Sequence, residues 1–286
     1  METINAVSVD VEDYFQVSAF EHSIDRVDWD GMEHRVASNM EKVLQLFDDS
    51  NTKATFFMLS WVAERYPFLV KMIVDSGHEL ASHGHSHRRV TDLSRDEFRQ
   101  DIVHAKRVLE DIGSVVVKGY RAPSYSIGEH NIWALEELVD AGYEYSSSIY
   151  PVKHDHYGFP SAPRFTFRDA RTGLVEVPIT TVKLFNKTMP AGGGGFFRFY
   201  PYVVSSWLIK RVNRVDQQPA IFYFHPWELD PRQPRVAKIS AKTRFRHYLN
   251  LDKTECRLRK LLTEFQWGRM DDVFLKDREI PEFRLT

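Results

Sequence analysis

The 286 residues carry 38 Lys and Arg against 40 Asp and Glu, a formal net charge of −2, with 43% hydrophobic and 27% charged residues. That is a globular composition able to build a sizeable core, and it excludes disordered, collagen-like and coiled-coil chains. The charge balance lacks the basic footprint of nucleic-acid binding, so no nucleic acid is expected as a partner. Cys256 stands alone, so no intramolecular disulfide can form and any metal must use N and O ligands. The N-terminus has no basic n-region or long apolar stretch, and no run approaches the roughly 18 apolar residues of a membrane span. A cytoplasmic chain without a transmembrane segment is expected, with periplasmic or membrane-associated placement left open. The 12 histidines are unevenly placed, and three of them fall in His83-Gly84-His85-Ser86-His87.

Short apolar strands alternate with helical patterns along most of the chain. Ile4–Val11 reads as a strand, and Val36, Met40, Val43, Leu44 and Phe47 recur at helical spacing. Ala54–Leu59 is a second strand, followed by a helix from Trp61 to Gly77 and a short strand over His78–Ser82. Ser94 and Glu97 form a capping box for a helix bearing Phe98, Ile102, Ala105 and Leu109. Val115–Lys118 reads as a β-branched strand, Ile132–Ala141 as a helix, Tyr143–Ser147 as extended, and Leu174–Ile179 as a strand. Pro201–Val215 is helical, and Ala220–Phe224 is the last clear strand. His154–Arg171 reads as a long loop, with His154 and His156 on its surface. Gly192–Gly195, flanked by Phe196 and Phe197, could border a cleft.

This alternation predicts a parallel sheet covered by helices, open or closed. Polar clusters fall at four strand ends, around Asp10–Asp13, His83–His87, Arg121–Pro123 and His225. Such convergence favours a barrel, whose chemistry gathers at the C-terminal ends of its strands. Residues 1–230 are assigned to the barrel, and 231–286, basic and helical with an amphipathic Lys253–Phe265, to a small extension packed on it.

His83 and His87 are spaced to deliver two imidazoles to one divalent ion. Asp10, Glu12 and Asp13 crowd the end of the first strand, where mutual repulsion calls for a cation or a shared proton. Together they make a two-His, one-carboxylate set with a carboxylate left over as a base. Glu12 shares the face of Asp10 if the strand continues, and Asp13 is better placed if it turns, so either is the third ligand.

These motifs resemble the polysaccharide deacetylases of carbohydrate esterase family 4, the NodB-homology proteins. The resemblance rests on Ser8-Val9-Asp10 with Glu12 or Asp13, His83–His87, Arg121-Ala122-Pro123-Ser124-Tyr125 and Phe222–Glu228, in the family's order. It implies an α/β fold, a distorted (β/α)7 barrel with a small C-terminal helical extension. It further implies Asp10 as catalytic base, His83 and His87 as metal ligands, Arg121 as the partner of the base, and His225 as general acid. The implied cofactor is one divalent ion, Zn2+ ahead of Co2+, Ni2+ or Mn2+. The implied partner is an acetylated amino-sugar glycan, and a homo-oligomer is compatible with the extension. Pro123, Tyr125, Phe224 and Trp227 are candidate walls for the substrate, with core packing as the alternative. His85 is expected to be a loop side chain, and Glu79 and Glu176 supporting groups.

The family's adjacent Asp pair is spread here over Asp10-Val11-Glu12-Asp13, Gly84 replaces a bracing Ser or Thr, and Ser146–Ser148 stand where an Asp commonly tunes the acid histidine. The nearest resemblance is to a branch associated with bacterial exopolysaccharide synthesis, on Ser8–Phe15, Arg121–Tyr125, Ser147–Pro151, Gly192–Phe197 and His225–Glu228 with a basic tail. It implies hydrolysis of N-acetyl groups on an amino-sugar polymer or its oligosaccharide precursor. The alternatives are an allantoinase-like amidase on a small cyclic amide or other C–N bond, and a non-catalytic glycan-binding relative.

Overall fold

The computed structural model describes residues 3–152, 158–185, 187–276 and 278–286, so His154 and His156 lie outside the described residues. The chain opens with β1 (Ile4–Val11), buried at every residue but the first. Burial on both faces is what a near-continuous apolar run gives when helices cover a parallel sheet. Next come α1 (Val36–Asp49), β2 (Thr55–Met58), α2 (Ser60–Arg65), α3 (Pro67–Asp75), β3 (Glu79–Ser82) and α4 (Arg95–Gly113). β4 (Gly119–Tyr120), α5 (Ala134–Asp140), β5 (Tyr145–Ser146), β6 (Phe167–Asp169) and β7 (Val175–Glu176) follow. The hairpin β8 (Thr181–Leu184) and β9 (Lys187–Pro190) leads to α6 (Gly194–Phe199), α7 (Tyr202–Arg211) and β10 (Ile221–Phe224). The chain ends with α8 (Ala241–Tyr248), α9 (Leu251–Glu264), β11 (Gln266–Gly268) and β12 (Glu282–Phe283).

Seven strands run parallel in the order β10-β1-β2-β3-β4-β5-β7. The chain beyond β7 closes the remaining gap. Val177 donates its N–H to Ser146, Ile179 to Ile149, Ala191 to Thr180 and Tyr223 to Gly192, and Gly193 bridges to Tyr223. At Gly193 φ is +118° and a Cβ would sit 2.1 Å from the Tyr223 carbonyl oxygen, so this seam requires glycine. The result is the expected distorted (β/α)7 barrel, sealed along the glycine run. Side chains alternate across its wall with the period of two that strands impose. Ala6, Phe57, Ala81, Tyr145, Ile221 and Tyr223 fill the interior, while Val7, Val9, Phe56, Leu80, Phe222 and Phe224 pack under the helices.

Strands also form where none was expected, at β6 inside the expected loop and at β11 and β12 past Phe224, and one helix and one strand are displaced from the sequence expectation. The helix expected over Trp61–Gly77 is broken in two at Tyr66, which has φ −129° and ψ 60°, because Pro67 occupies the first turn of α3. The strand expected at Val115–Lys118 falls at Gly119–Tyr120 instead. The Val117 N–H goes to Glu110 Oε1 at 3.0 Å and its carbonyl to Lys106, both on α4, so its backbone groups are spent on a helix rather than on a neighbouring strand.

Residues past 230 share the barrel's own bonds. β11 pairs in parallel with the start of β1. The Met270 N–H donates to Thr55 Oγ1 at 2.8 Å and the Asp271 N–H to Glu79 Oε2 at 3.2 Å, where β2 and β3 begin. Met270, Val273 and Phe274 are therefore interior residues and plug the end of the barrel opposite the strand C-termini. Among the described residues no helix is long and apolar enough to cross a membrane.

Candidate active site

Asp10, His83, Arg121 and His225 lie at or just past the C-terminal ends of β1, β3, β4 and β10, so barrel closure brings them to one face. Arg121 is fully buried and organises the floor of this face. Its Nη1 donates to Asp10 Oδ1 at 2.6 Å and to Ser8 Oγ at 2.8 Å. Its Nε donates to the Ser147 carbonyl at 3.3 Å, and Nη2 to Ser147 Oγ at 3.1 Å. The guanidinium lies 4.0 Å from the centre of the Phe57 ring and 3.6 Å from Met270 Sδ. Burial alone would weaken its charge, but the Asp10 carboxylate outweighs burial and holds it. A buried ion pair with this many bonds is strongly destabilised when one partner is removed.

The two candidates for the third ligand part ways. Asp13 caps the helical turn that follows β1 and the start of α1. Its Oδ1 accepts the Tyr14 N–H at 2.8 Å, and its Oδ2 accepts those of Arg35 at 2.6 Å and Val36 at 2.8 Å. Burial pushes its pKa up to about 6 against those bonds. Asp13 is thus turned away as an orphan-donor cap and is not beside the histidines. Glu12 instead meets His83 and His87 in one buried group whose donor atoms lie within 4.8 Å of one another.

The donor set suits a divalent ion. His83 Nδ1 is 2.8 Å from the Arg121 carbonyl; since a carbonyl only accepts, Nδ1 carries the proton and Nε2 presents its lone pair. Burial pulls the His83 pKa down to about 4, which keeps the imidazole neutral. Glu12 is held ionised at about 2, burial being outweighed by His87. Glu12 Oε2 lies 2.6 Å from His87 Nε2, the contact through which His87 holds the carboxylate ionised.

The loop carrying these ligands is built with backbone conformations that side chains rarely adopt. Gly84 has φ +76°, and a Cβ there would meet Asp101 at 2.7 Å. His87 itself sits at φ 50°. Asp101 on α4 compensates by accepting from the His85 N–H at 2.9 Å and from Ser86 N–H and Oγ at 3.1 and 2.7 Å. Asp101 thus supplies the brace that Gly84 cannot. The Arg121 loop is also held in the left-handed region, at Ser124 with φ 55° and Tyr125 with φ 52°, and aims the Tyr125 hydroxyl at Asp10 Oδ2 at 3.5 Å.

His225 closes the site from the other side. Its Nε2 lies 3.6 Å from Glu12 Oε1 and 3.9 Å from Asp10 Oδ2, and with its side chain 19% exposed against 3% for both carboxylates it is the group that solvent reaches first. Its Nδ1 is 2.8 Å from Glu228 Oε1. Burial would discharge this imidazole, but Glu228, Glu12 and Asp10 overcome that and raise its pKa to about 9. Glu228 stays ionised at about 2, burial again being overcome, because Arg198 Nε donates to its other oxygen at 2.6 Å. Arg198 is anchored in turn to the His247 and Leu249 carbonyls at 2.7 and 3.1 Å.

Glu228, which the sequence motifs do not single out as a site residue, is the group that holds His225. The signal was present in His225-Pro226-Trp227-Glu228, a carboxylate three residues on. Ser147 and Ser148 serve Arg121 and its loop, the latter accepting the Ala122 N–H at 2.9 Å. Phe224 requires correction as a substrate wall. It alternates with Tyr223, so it faces outward against Phe47 at 6.0 Å while Tyr223 faces the interior 5.9 Å from Arg121. Trp227 is likewise a packed residue, stacked between His225 at 5.1 Å and His247 at 4.3 Å with Nε1 on Glu12 Oε1 at 3.2 Å. Pro123 is buried at the start of the short turn that presents Tyr125. A cleft of about 530 Å³ lined by Tyr14, Ile24, Met32, Arg235, Val236 and Lys238 lies apart from the ligands and the His225–Asp10 pair.

Comparison with known proteins places this geometry. Residues 28–146 match the polysaccharide deacetylase family model, and residues 147–275 match a domain of unknown function, DUF3473. A peptidoglycan-N-acetylglucosamine deacetylase of Bacillus cereus is 34% identical over 97 residues, 34% of this chain and 35% of that protein. A chitooligosaccharide deacetylase of Azorhizobium caulinodans is 29% identical over 82 residues, 28% of this chain and 39% of that protein. The matches thus span little more than a third of the length of these curated relatives. A Mycobacterium smegmatis protein assigned to the polysaccharide deacetylases has a TM-score of 0.64 at 17% identity, over 100% of this chain and 95% of that one. An allantoinase has 0.55 at 13% identity, over 94% and 87%. Both likenesses bear on the fold, which is that of the deacetylase-type barrels. Residues 28–146 thus carry a polysaccharide deacetylase domain, of the NodB-homology type found in carbohydrate esterase family 4.

Proposed function

We propose that the chain is a metal-dependent deacetylase that removes N-acetyl groups from the amino sugars of a glycan. The observation that carries this is the placement of Asp10, held by Arg121, and His225, held by Glu228, on two sides of the Glu12-His83-His87 set. Glu12, His83 and His87 would hold the ion, and Zn2+ suits two imidazoles and a carboxylate ahead of Co2+, Ni2+ or Mn2+. Such an ion supplies Lewis acidity toward an acyl oxygen and acidifies water. Asp10 then acts as the base that takes the proton of the attacking water through Oδ2, since Oδ1 is engaged by Arg121. His225, charged through Glu228, delivers a proton to the departing amine nitrogen. Tyr125 orients the base through its hydroxyl.

The named activities of the similar proteins, on peptidoglycan N-acetylglucosamine and chitooligosaccharide, support an amino-sugar substrate. An exopolysaccharide or its oligosaccharide precursor is the specific substrate we propose, acted on by a cytoplasmic protein. The test is acetate release from N-acetylated amino-sugar oligomers by metal-replete and chelated protein, and by Asp10→Asn and His225→Ala. Release only by the replete, unsubstituted chain is expected. Metal-independent release, or hydrolysis of small cyclic amides in its place, would overturn the proposal.

A further inference from the structure

A second group of metal-ligating side chains lies on the other side of the histidine loop. Glu64 on α2, His85 between the two inner histidines and His104 on α4 each offer one donor atom, and these atoms lie within 4.8 Å of one another. His104 Nε2 is 3.0 Å from Glu64 Oε1, and the two imidazoles meet edge to face with centroids 4.6 Å apart. His85 Nδ1 is 2.8 Å from Ser60 Oγ at the start of the helix that carries Glu64. That bond leaves Nε2 as the ring atom open to a ligand, the division of labour usual in metal-bound histidines.

The three elements are tied together by bonds that do not involve the ligand atoms. The Ser60 N–H donates to the Gly84 carbonyl at 2.9 Å, joining α2 to the loop. Asp101, one turn before His104 on α4, accepts the His85 N–H at 2.9 Å. The donors are thus presented on a pre-formed frame rather than on three independent side chains. The neighbouring cation, Arg65, is paired with Asp30 at 2.5 and 2.8 Å.

We propose that Glu64, His85 and His104 form a second divalent-cation site, taking a first-row ion such as Zn2+ through two imidazoles and one carboxylate. Borderline-soft ions prefer this donor set, and solvent completes the shell at an open position. The site is separate from Glu12, His83 and His87 and does not depend on the proposed reaction. An ion there bridges α2 and α4 through the residue that lies between the two inner histidines.

The 286-residue chain, stripped by chelation, is titrated with Zn2+, and with Co2+ for its visible absorption. Two ions are expected in the unsubstituted chain, and one each in His104→Ala, Glu64→Gln and His83→Ala. None is expected in the His83→Ala, His104→Ala double variant. The Glu64 and His104 side chains are each 37% exposed, so their replacement leaves the fold in place, checked by circular dichroism. Binding in the His83→Ala background that His104→Ala and Glu64→Gln leave unchanged overturns the proposal, as does a His83→Ala chain that binds nothing. A single ion lost with His104→Ala but kept in His83→Ala supports this site and removes the inner one.

Discussion

Met270 Sδ lies 3.6 Å from Nη2 of Arg121, the residue whose Nη1 holds Asp10 at 2.6 Å. The C-terminal segment thus reaches through the barrel to support the Arg121–Asp10 pair from below. The plug is fixed by Thr55 and Glu79, and burial, with Asp271 nearby, pushes the Glu79 carboxyl up to about 7. The proposed chemistry at one end of the barrel therefore leans on packing at the other.

Met270→Ala leaves a hole under the guanidinium. A core truncation of this size costs about 2–5 kcal/mol. The specific expectation is a fall in kcat of about tenfold with KM nearly unchanged, because a misplaced supporting group weakens the transition state more than binding. Met270→Leu, which conserves volume at under about 1.5 kcal/mol, restores most of both. Steady-state kinetics with thermal melts checks this, and a folded alanine variant with unchanged kcat would reduce the plug to a stability element.

Glu228→Gln removes the carboxylate beside His225 while keeping a hydrogen-bonding oxygen. The imidazole, held up to about 9 in its presence, then falls toward its ordinary value, since burial is no longer opposed from that side. A general acid works while protonated, so activity is lost as pH rises through its pKa. The alkaline limb of the pH–kcat profile is expected to move to lower pH, with kcat down by about 100-fold, within the range for such catalysis. A profile superimposable on that of the unsubstituted chain would show that Glu228 only positions the loop.

Much of this was legible in the residues. β1 could be delimited because Ile4, Ala6, Val7, Val9 and Val11 make a mostly apolar run that stops where Glu12 and Asp13 follow, and the Ser94–Glu97 capping box marked where α4 starts. The convergence of Asp10, His83, Arg121 and His225 on one face could be read because each ends or directly follows a strand and strand ends converge in a barrel, with His87 carried by the loop that His83 opens. What could not be read depends on contacts distant in sequence. Nothing local marks Met270 as an interior residue, Asp101 as the brace of a loop sixteen positions back, or Gly192–Gly193 as the barrel seam. The choice between Glu12 and Asp13 hinged on whether the chain turned after Val11, which the α1 N-terminus decides by recruiting Asp13.

That choice has a direct assay. Glu12→Gln is expected to lose the inner ion, because a neutral amide is a poor ligand beside two imidazoles. Asp13→Asn keeps it and instead loses stability, by about 1–3 kcal/mol, since one of its oxygens serves two backbone N–H groups and an amide nitrogen can replace neither acceptor. Metal content after dialysis and urea denaturation of both variants separates the two residues. Loss of the ion from Asp13→Asn with native stability would reverse the assignment.

Acid stability turns on a histidine far from the chemistry. His78 is 7% exposed, and its Nδ1 accepts the Ala54 N–H at 3.1 Å, a bond that a protonated ring cannot make. Burial, with Lys53 and Arg269 adding to it, lowers its pKa to about 4. In the unfolded chain it titrates near 6.5, so between these values the unfolded state holds more protons and stability falls as pH falls. A gap of about 2.5 pH units at about 1.4 kcal/mol each is worth about 3 kcal/mol, fully present above pH ~6.5 and lost by pH ~4. In His78→Asn the amide oxygen can accept the same N–H without titrating. Urea denaturation at neutral pH and at pH ~4.5 should therefore show a much smaller acid loss in the variant. Equal losses in the two proteins would mean that acid sensitivity resides elsewhere, with His247, held down to about 3 chiefly by burial, the next residue to replace.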